Sequence, residues 1–230
     1  MSGSRTDEAV LEGRRLLVLE DVAPTRQLIR RRLEAAGAEV ILAADRFSLL
    51  LACCEEARPD LVLLDLHVPD GEVLSLVPGL LADLPCVVFT GQVDARIRQD
   101  CQQMSVLEVI SKSRLPVDLP ERLARHVDRA PHAEEDDDTE VPHALRGRFL
   151  AELGRRQGAL QQARRLGRTA ECGEHVSHLS GNCALFGFTA IGLAAQRAER
   201  ALATGDRLGF ELMTDVIEHL IGGALETENP

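Results

Sequence analysis

The sequence has no tryptophan and no tyrosine, and only six phenylalanines. Recognition of bases by stacking on aromatic side chains is therefore excluded on any scale. Positive charge is also short. Lys and Arg number 26 against 37 Asp and Glu, for a net charge of −11. That balance argues against a nucleic-acid binder or an anionic-membrane binder, since both need a basic face. No segment approaches the ~20 apolar residues of a membrane helix. The N-terminal MSGSRTDEAVLEGRR has no apolar signal core. These absences predict a cytoplasmic protein. The cysteines, Cys53, Cys54, Cys86, Cys101, Cys172 and Cys183, lie mostly in apolar segments and show no paired metal-ligand spacing. They read as buried free thiols in a reducing compartment.

What is present is a chain of 230 residues with ordinary hydrophobic (45%) and charged (27%) content. This is enough for one large domain or two small ones. Its first half alternates strands and helices. Leu16–Leu19 is a short apolar run followed by Glu20 and Asp21. Pro24 opens a helix with Leu28, Ile29 and Leu33 on one face, and Gly37 stops it. Residues 39–43 read as a second strand and 46–57 as a helix. Leu61–Leu64 is a third strand running into Asp65, and 72–83 reads as a short helix. Cys86–Thr90 is a fourth strand with Gly91 at its exit. A helix over 93–104, a strand over 107–112 and a helix over 120–127 complete the pattern. This alternation predicts a doubly wound α/β fold with a five-stranded parallel sheet.

Residues 1–13 read as a loose tail and 131–143 as an acidic linker. The stretch PHAEEDDDTEVP holds six acidic residues and two prolines and has little to bury. Beyond it no strand signal appears. Four apolar faces repeat at helical spacing: Leu145, Phe149, Leu153 and Leu160; Cys172, Val176, Leu179, Cys183 and Phe186; Phe188, Ile191, Ala195, Ala198 and Leu202; and Leu208, Leu212, Val216 and Leu220. Short connections containing Gly167 and Gly205 join several of them. Residues 144–227 are therefore expected to form an all-α antiparallel four-helix bundle.

In an open α/β sheet, residues just past the strands gather at one carboxyl edge. That edge receives Glu20 and Asp21 from the first strand, Asp65 from the third, Thr90 from the fourth and Lys112 from the fifth. Three close carboxylates repel one another, and a hard divalent cation with oxygen ligands relieves this; Mg²⁺ suits such a site. A carboxylate beside a metal, a hydroxyl and an ammonium is equipped to take a phosphoryl group.

On these residues, 14–128 resemble the receiver domain of bacterial two-component response regulators. The acidic pair at 20–21, the acceptor in LVLLDLHVPDG, the VVFTG segment and the lysine in VISKS carry the likeness. The domain is assigned to 14–130. The resemblance implies that Asp65 is phosphorylated by a phosphohistidine on a sensor histidine kinase or phosphotransfer protein. Thr90 and Lys112 would assist, and Glu20, Asp21, Asp65 and the main-chain carbonyl of His67 would hold Mg²⁺. Such a domain is not an enzyme beyond catalysing its own phosphorylation and dephosphorylation. The chain departs from the family in four places. Glu-Asp stands for the common Asp-Asp, Ser113 follows the lysine in place of proline, and Val109 stands where an aromatic ring is frequent. The segment between Asp65 and Thr90 is short. His67 and Gln92 occupy positions that tune phosphoryl hydrolysis.

Val176-Ser177-His178-Leu179-Ser180-Gly181, with Phe186-Gly187 beyond, resembles the centre of a histidine phosphotransfer (HPt) domain. Aligning on Leu179, Gly181, Phe186 and Gly187 places Ser177 at the phosphorylated position. The buried stripe sets that register, and projects Ser177 and Gly181 together onto another face. His178 lies about 100° further round the helix. It pairs at three residues with His175, which reads as two solvated histidines rather than metal ligands. The HPt-like bundle is thus expected to bind a receiver, its own or another, without carrying phosphate. Two alternatives stand beside this reading: an active relay through His178, and a bundle that only makes a homodimer.

Overall fold

The structure, a computed structural model, describes residues 9–54, 58–91, 93–112, 118–127 and 143–227. Residues 1–8 of the expected tail, Gln92, Ser113 and the acidic stretch 131–142 lie outside the described residues. The chain forms two compact units, one before and one after the acidic stretch.

The first unit carries a five-stranded parallel sheet in the order β2-β1-β3-β6-β7, where β1 is Arg15–Leu19, β2 Glu39–Ala43, β3 Leu61–Leu64, β6 Cys86–Thr90 and β7 Glu108–Ser111. Strands β3 and β6 are buried throughout and β1 nearly so, whereas β2 and β7 at the edges are half-covered. That is why the central strands read as continuous apolar runs without alternation. Helices α1 (Ala23–Glu34), α2 (Arg46–Ala52), α3 (Ala95–Gln103) and α4 (Leu119–Val127) connect and cover the strands. Asp45 caps α2 by accepting from the Ser48 N–H at 2.7 Å, and Asp94 caps α3 by accepting from the Ile97 N–H at 2.8 Å. In α1, Ile29 and Leu33 are buried while Leu28 is 53% exposed. Leu28 therefore does not share the core face, because adjacent helix residues point about 100° apart and Ile29 takes the core position.

The helix expected over 72–83 does not form. In its place β4 (His67–Val68) and β5 (Gly71–Glu72) make a small antiparallel hairpin, followed by a single 3₁₀ turn at Leu74–Leu76 and further turns. Pro78 sits in the middle of the segment, where it lacks the N–H that a helix would direct to the Leu74 carbonyl. The apolar residues are buried all the same: Val73, Leu74, Leu76, Val77, Leu80, Leu81 and Leu84.

The second unit is helical: α5 (His143–Arg165), α6 (Thr169–Asn182), α7 (Thr189–Thr204) and α8 (Arg207–Thr227). Contacts run in a closed circuit, α5 with α6, α6 with α7, α7 with α8 and α8 with α5. Phe149, Leu153 and Leu160 are buried on α5, and Cys172, Val176, Leu179 and Cys183 continue that core. The expected faces err at their ends. Leu145 and Leu202 are exposed, and α6 stops at Asn182, so that Phe186 falls on a 3₁₀ turn. Phe186 still stacks on Phe149, with ring centroids 4.1 Å apart. On α8 the phase is shifted. Of the expected face only Val216 is buried; Leu208 is 71% exposed, Leu212 and Leu220 are half-buried, and Phe210, Met213, Ile217 and Ile221 fill the rest of the core. Two apolar stripes compete on this helix, and the one containing the aromatic ring faces inward.

Candidate functional site

Sheet register decides what meets at the carboxyl edge. Leu19 pairs with Leu64, so Glu20 and Asp65 are the next residues of adjacent strands. Leu64 pairs with Val88 and Thr90 with Ser111, which brings Thr90 and Lys112 level with them. Main-chain hydrogen bonds extend the ladder past the strands. The Asp65 N–H donates to the Leu19 carbonyl at 3.0 Å, and the Lys112 N–H to the Thr90 carbonyl at 2.8 Å.

Glu20, Asp65 and Thr90 are buried polar residues at this edge. Lys112 resolves the charge. Its Nζ donates to Glu20 Oε2 at 2.5 Å and to Asp65 Oδ2 at 2.6 Å, and it lies 5.7 Å from the centroid of the Phe89 ring. A carboxylate that is buried without such a partner would be costly. Glu20, Asp21 and Asp65 each offer an oxygen within 4.8 Å of the others, and they are the only such acidic, histidine or cysteine group among the described residues. The donor set is all hard oxygen and leaves a solvent side at Asp21, which fits Mg²⁺ better than zinc or a soft metal.

His67 opens β4 on the exposed side of this edge. Its N–H donates to Asp65 Oδ1 at 3.1 Å, and its Nδ1 lies 3.4 Å from the Thr90 hydroxyl. A Cβ placed on Gly91 would meet only open space, so the approach beside Thr90 is clear. The structure thus brings Glu20, Asp21, Asp65, His67, Thr90 and Lys112 together, from four separate parts of the sequence.

Two supports were not read from the sequence. The Arg26 guanidinium donates to the carbonyls of Glu20 at 2.5 Å and Asp21 at 3.1 Å, which ties the acidic loop to α1. Its signal was its place one turn into the helix after the acidic pair. Arg46 anchors the hairpin. Its N–H donates to Asp70 Oδ2 at 2.8 Å and its guanidinium to the Glu72 carbonyl at 3.3 Å. Gly71 has φ 134°, and a Cβ there would come within 2.8–3.0 Å of that guanidinium. The positive φ favours glycine here, whereas the guanidinium is the mobile end of a side chain and could shift. An Asp-Gly turn two residues beyond His67-Val68 was the available hint.

On the helical unit, Val176 and Leu179 are buried while Ser177, His178 and Gly181 are exposed. Nothing would crowd a Cβ on Gly181. Leu185 beyond it is 69% exposed. The His178 carbonyl accepts from Asn182 Nδ2 at 2.8 Å. The Glu152 carboxyl of α5 is held below its ordinary value chiefly by a hydrogen bond from Arg155.

Residues 16–124 match the response regulator receiver domain. The chain is 34% identical over 100 residues to the sensor histidine kinase AruS of Pseudomonas aeruginosa, a match covering 40% of this chain and 10% of the kinase. It is 34% identical over 92 residues to the phosphate regulon transcriptional regulatory protein PhoB of Escherichia coli, covering 37% of this chain and 40% of PhoB. The chain therefore spans less than half the length of these relatives. Among solved structures, the non-phosphorylated HemR receiver domain from Leptospira biflexa is 27% identical, with 52% of this chain and 99% of that chain covered and a TM-score of 0.46. No helix among the described residues is long and apolar enough to cross a membrane.

Proposed function

Given a two-component receiver domain at residues 16–124, we propose that Asp65 is the phosphoryl acceptor and that the helical unit is the output it controls. The observation that carries this reading is the position of Lys112 Nζ, held between Glu20 and Asp65. It marks the place where a phosphoryl oxygen would take over the ammonium.

The donor is a phosphohistidine on a sensor histidine kinase or an HPt protein. A carboxylate oxygen of Asp65 attacks phosphorus, and the P–O bond forms as the P–N bond breaks. The imidazole nitrogen leaves with the electron pair and takes a proton. Mg²⁺, held by Glu20, Asp21, Asp65 and the His67 carbonyl, would neutralise charge on the phosphoryl oxygens. Lys112 leaves the Asp65 carboxylate for a phosphoryl oxygen, and the Thr90 hydroxyl donates to another. Water later attacks phosphorus and restores the carboxylate. The setting is the cytoplasm, where the phosphohistidine donors of such a relay are made.

For residues 144–227 the reading is an antiparallel four-helix bundle of HPt type whose acceptor has been lost. Ser177 stands at the histidine position, exposed beside Gly181 and Leu185. A phosphohistidine is a labile phosphoramidate that can be handed on, whereas a serine phosphate ester is inert on that timescale. The face around Ser177 and Gly181 therefore docks a receiver, its own or another's, without relaying. Phosphorylation at Asp65 regulates that docking.

The test is incubation of the full chain with a labelled small phosphodonor and Mg²⁺, comparing wild type, Asp65→Ala and His178→Ala. The expected label is acid-stable and base-labile, absent from Asp65→Ala and undiminished in His178→Ala. Acid-labile label lost with His178 would replace this reading with an active relay through that residue.

A further inference from the structure

At one end of the helical unit, where α5 finishes and α6 and α8 begin, the helices line an open cavity of about 520 Å³, with Glu211 and Glu218 also on its wall. Its size is that of a small-molecule site. Buried Cys172 and Phe210 contribute to its lining, and Arg164, Arg165, Arg168 and Arg207 add four guanidinium groups.

These arginines are not equivalent. Arg164 is committed to packing, since it joins α5 to α8 through Asp215 and Glu218, each at 2.6 Å. The other three hold no helices together. Arg168 reaches Glu171 at 3.2 Å and Arg207 reaches Glu211 at 3.1 Å, both across a single exposed helical turn. Such pairs contribute little and yield readily to a stronger anion. Arg165 donates from Nε to the Gln161 carbonyl and has no carboxylate partner among the described residues. Three available cations thus converge on one concavity in a chain whose net charge is −11. Leu166 and Leu208, 54% and 71% exposed, flank the same end. A chain this acidic has no need of clustered arginine for solubility.

We infer that this cavity binds a small organic anion. A phosphate or carboxylate head sits among Arg165, Arg168 and Arg207, and the apolar body lies against Phe210. The site belongs to the helical unit alone and does not depend on phosphoryl transfer at Asp65.

Isothermal titration of the full chain in EDTA, which removes Mg²⁺ from the acidic edge, tests it. The probes are phenyl phosphate, benzoate and inorganic phosphate. Saturable one-site binding is expected for phenyl phosphate or benzoate, about tenfold tighter than for inorganic phosphate; whichever is tighter assigns the head as phosphate or carboxylate. The exposed pair Arg165→Glu/Arg168→Glu is expected to weaken it by about tenfold or more with far-ultraviolet dichroism unchanged. Arg165→Lys/Arg168→Lys should retain most of it, and Asp65→Ala all of it. Absence of saturable binding for every probe, equal binding in the charge-reversed pair, or loss in Asp65→Ala overturns the assignment.

Discussion

His67 Nδ1 and Thr90 Oγ1 lie 3.4 Å apart, with the His67 main-chain N–H on Asp65 Oδ1. His67 thus touches both the proposed acceptor, Asp65, and the hydroxyl that would serve an incoming phosphoryl group. While the imidazole engages it, Thr90 is not free to turn toward that group. His67→Ala is expected to speed phosphorylation by a small phosphodonor roughly fivefold, the equivalent of about 1 kcal/mol for one neutral hydrogen bond. Stopped-flow or quenched labelling measures the rate. The effect must vanish when Thr90→Ala is the background; a His67 effect that survives there rules out the coupling.

Lys112 is the sole cation bonded to both Glu20 and Asp65 among the described residues. Lys112→Ala leaves two buried carboxylates facing each other and should lower stability of the receiver by about 3 kcal/mol in EDTA. Mg²⁺ should restore more of the urea midpoint in the variant than it adds to wild type. Equal Mg²⁺ responses would mean that lysine and metal do not share the same carboxylates.

Glu108 of β7 accepts from Arg122 and His126 of α4. Burial pushes its carboxyl up, but hydrogen bonds from Arg122 and His126 outweigh burial and hold it below its ordinary 4.5. A depressed folded value means stability that is present above pH 4.5 and is lost as pH falls through the folded value. Glu108→Gln should therefore cost about 1 kcal/mol at pH 7 and progressively less below pH 4.5. Urea midpoints at the two ends of that range decide it. A constant difference across pH would assign the loss to packing.

All six cysteines are buried thiols. Burial pushes the Cys183 thiol up to about 12, so its thiolate is scarce at neutral pH. Native protein at pH 8 should react negligibly with a thiol reagent over minutes and yield all six thiols in denaturant. Rapid labelling of Cys183 in the native chain would contradict its place in the helical core.

Much of the first unit was legible because the central strands of a parallel sheet are buried on both faces. Residues 39–43 and 86–90 were delimited from apolar runs alone. The acidic edge was legible too, since Glu20, Asp65, Thr90 and Lys112 each lie at or just beyond the end of an apolar strand. Helix phase was harder to read. Leu28 beside Ile29, and Leu208 beside Phe210, each offer two adequate stripes, and only the packed core selects between them. The segment 72–83 failed for another reason. Its leucines have helical spacing, but Pro78 removes a donor in mid-segment, and burial is achieved by turns instead. Partners of main-chain carbonyls, such as Arg26 on Glu20 and Asp21, leave almost no trace in a residue pattern.

The hairpin and 3₁₀ turn that stand in for a helix between β3 and β6 have a dynamic consequence. Their amides lack the continuous i to i−4 ladder that protects a helix, although leucines anchor them from below. In hydrogen-exchange terms this stretch should be the receiver's earliest-opening cooperative segment, with protection well under that of the flanking strands. On the proposed reading, the phosphoryl acceptor has the sheet on one side and this readily opened segment on the other. A partner specific for the phosphorylated form would then recruit that segment at low cost.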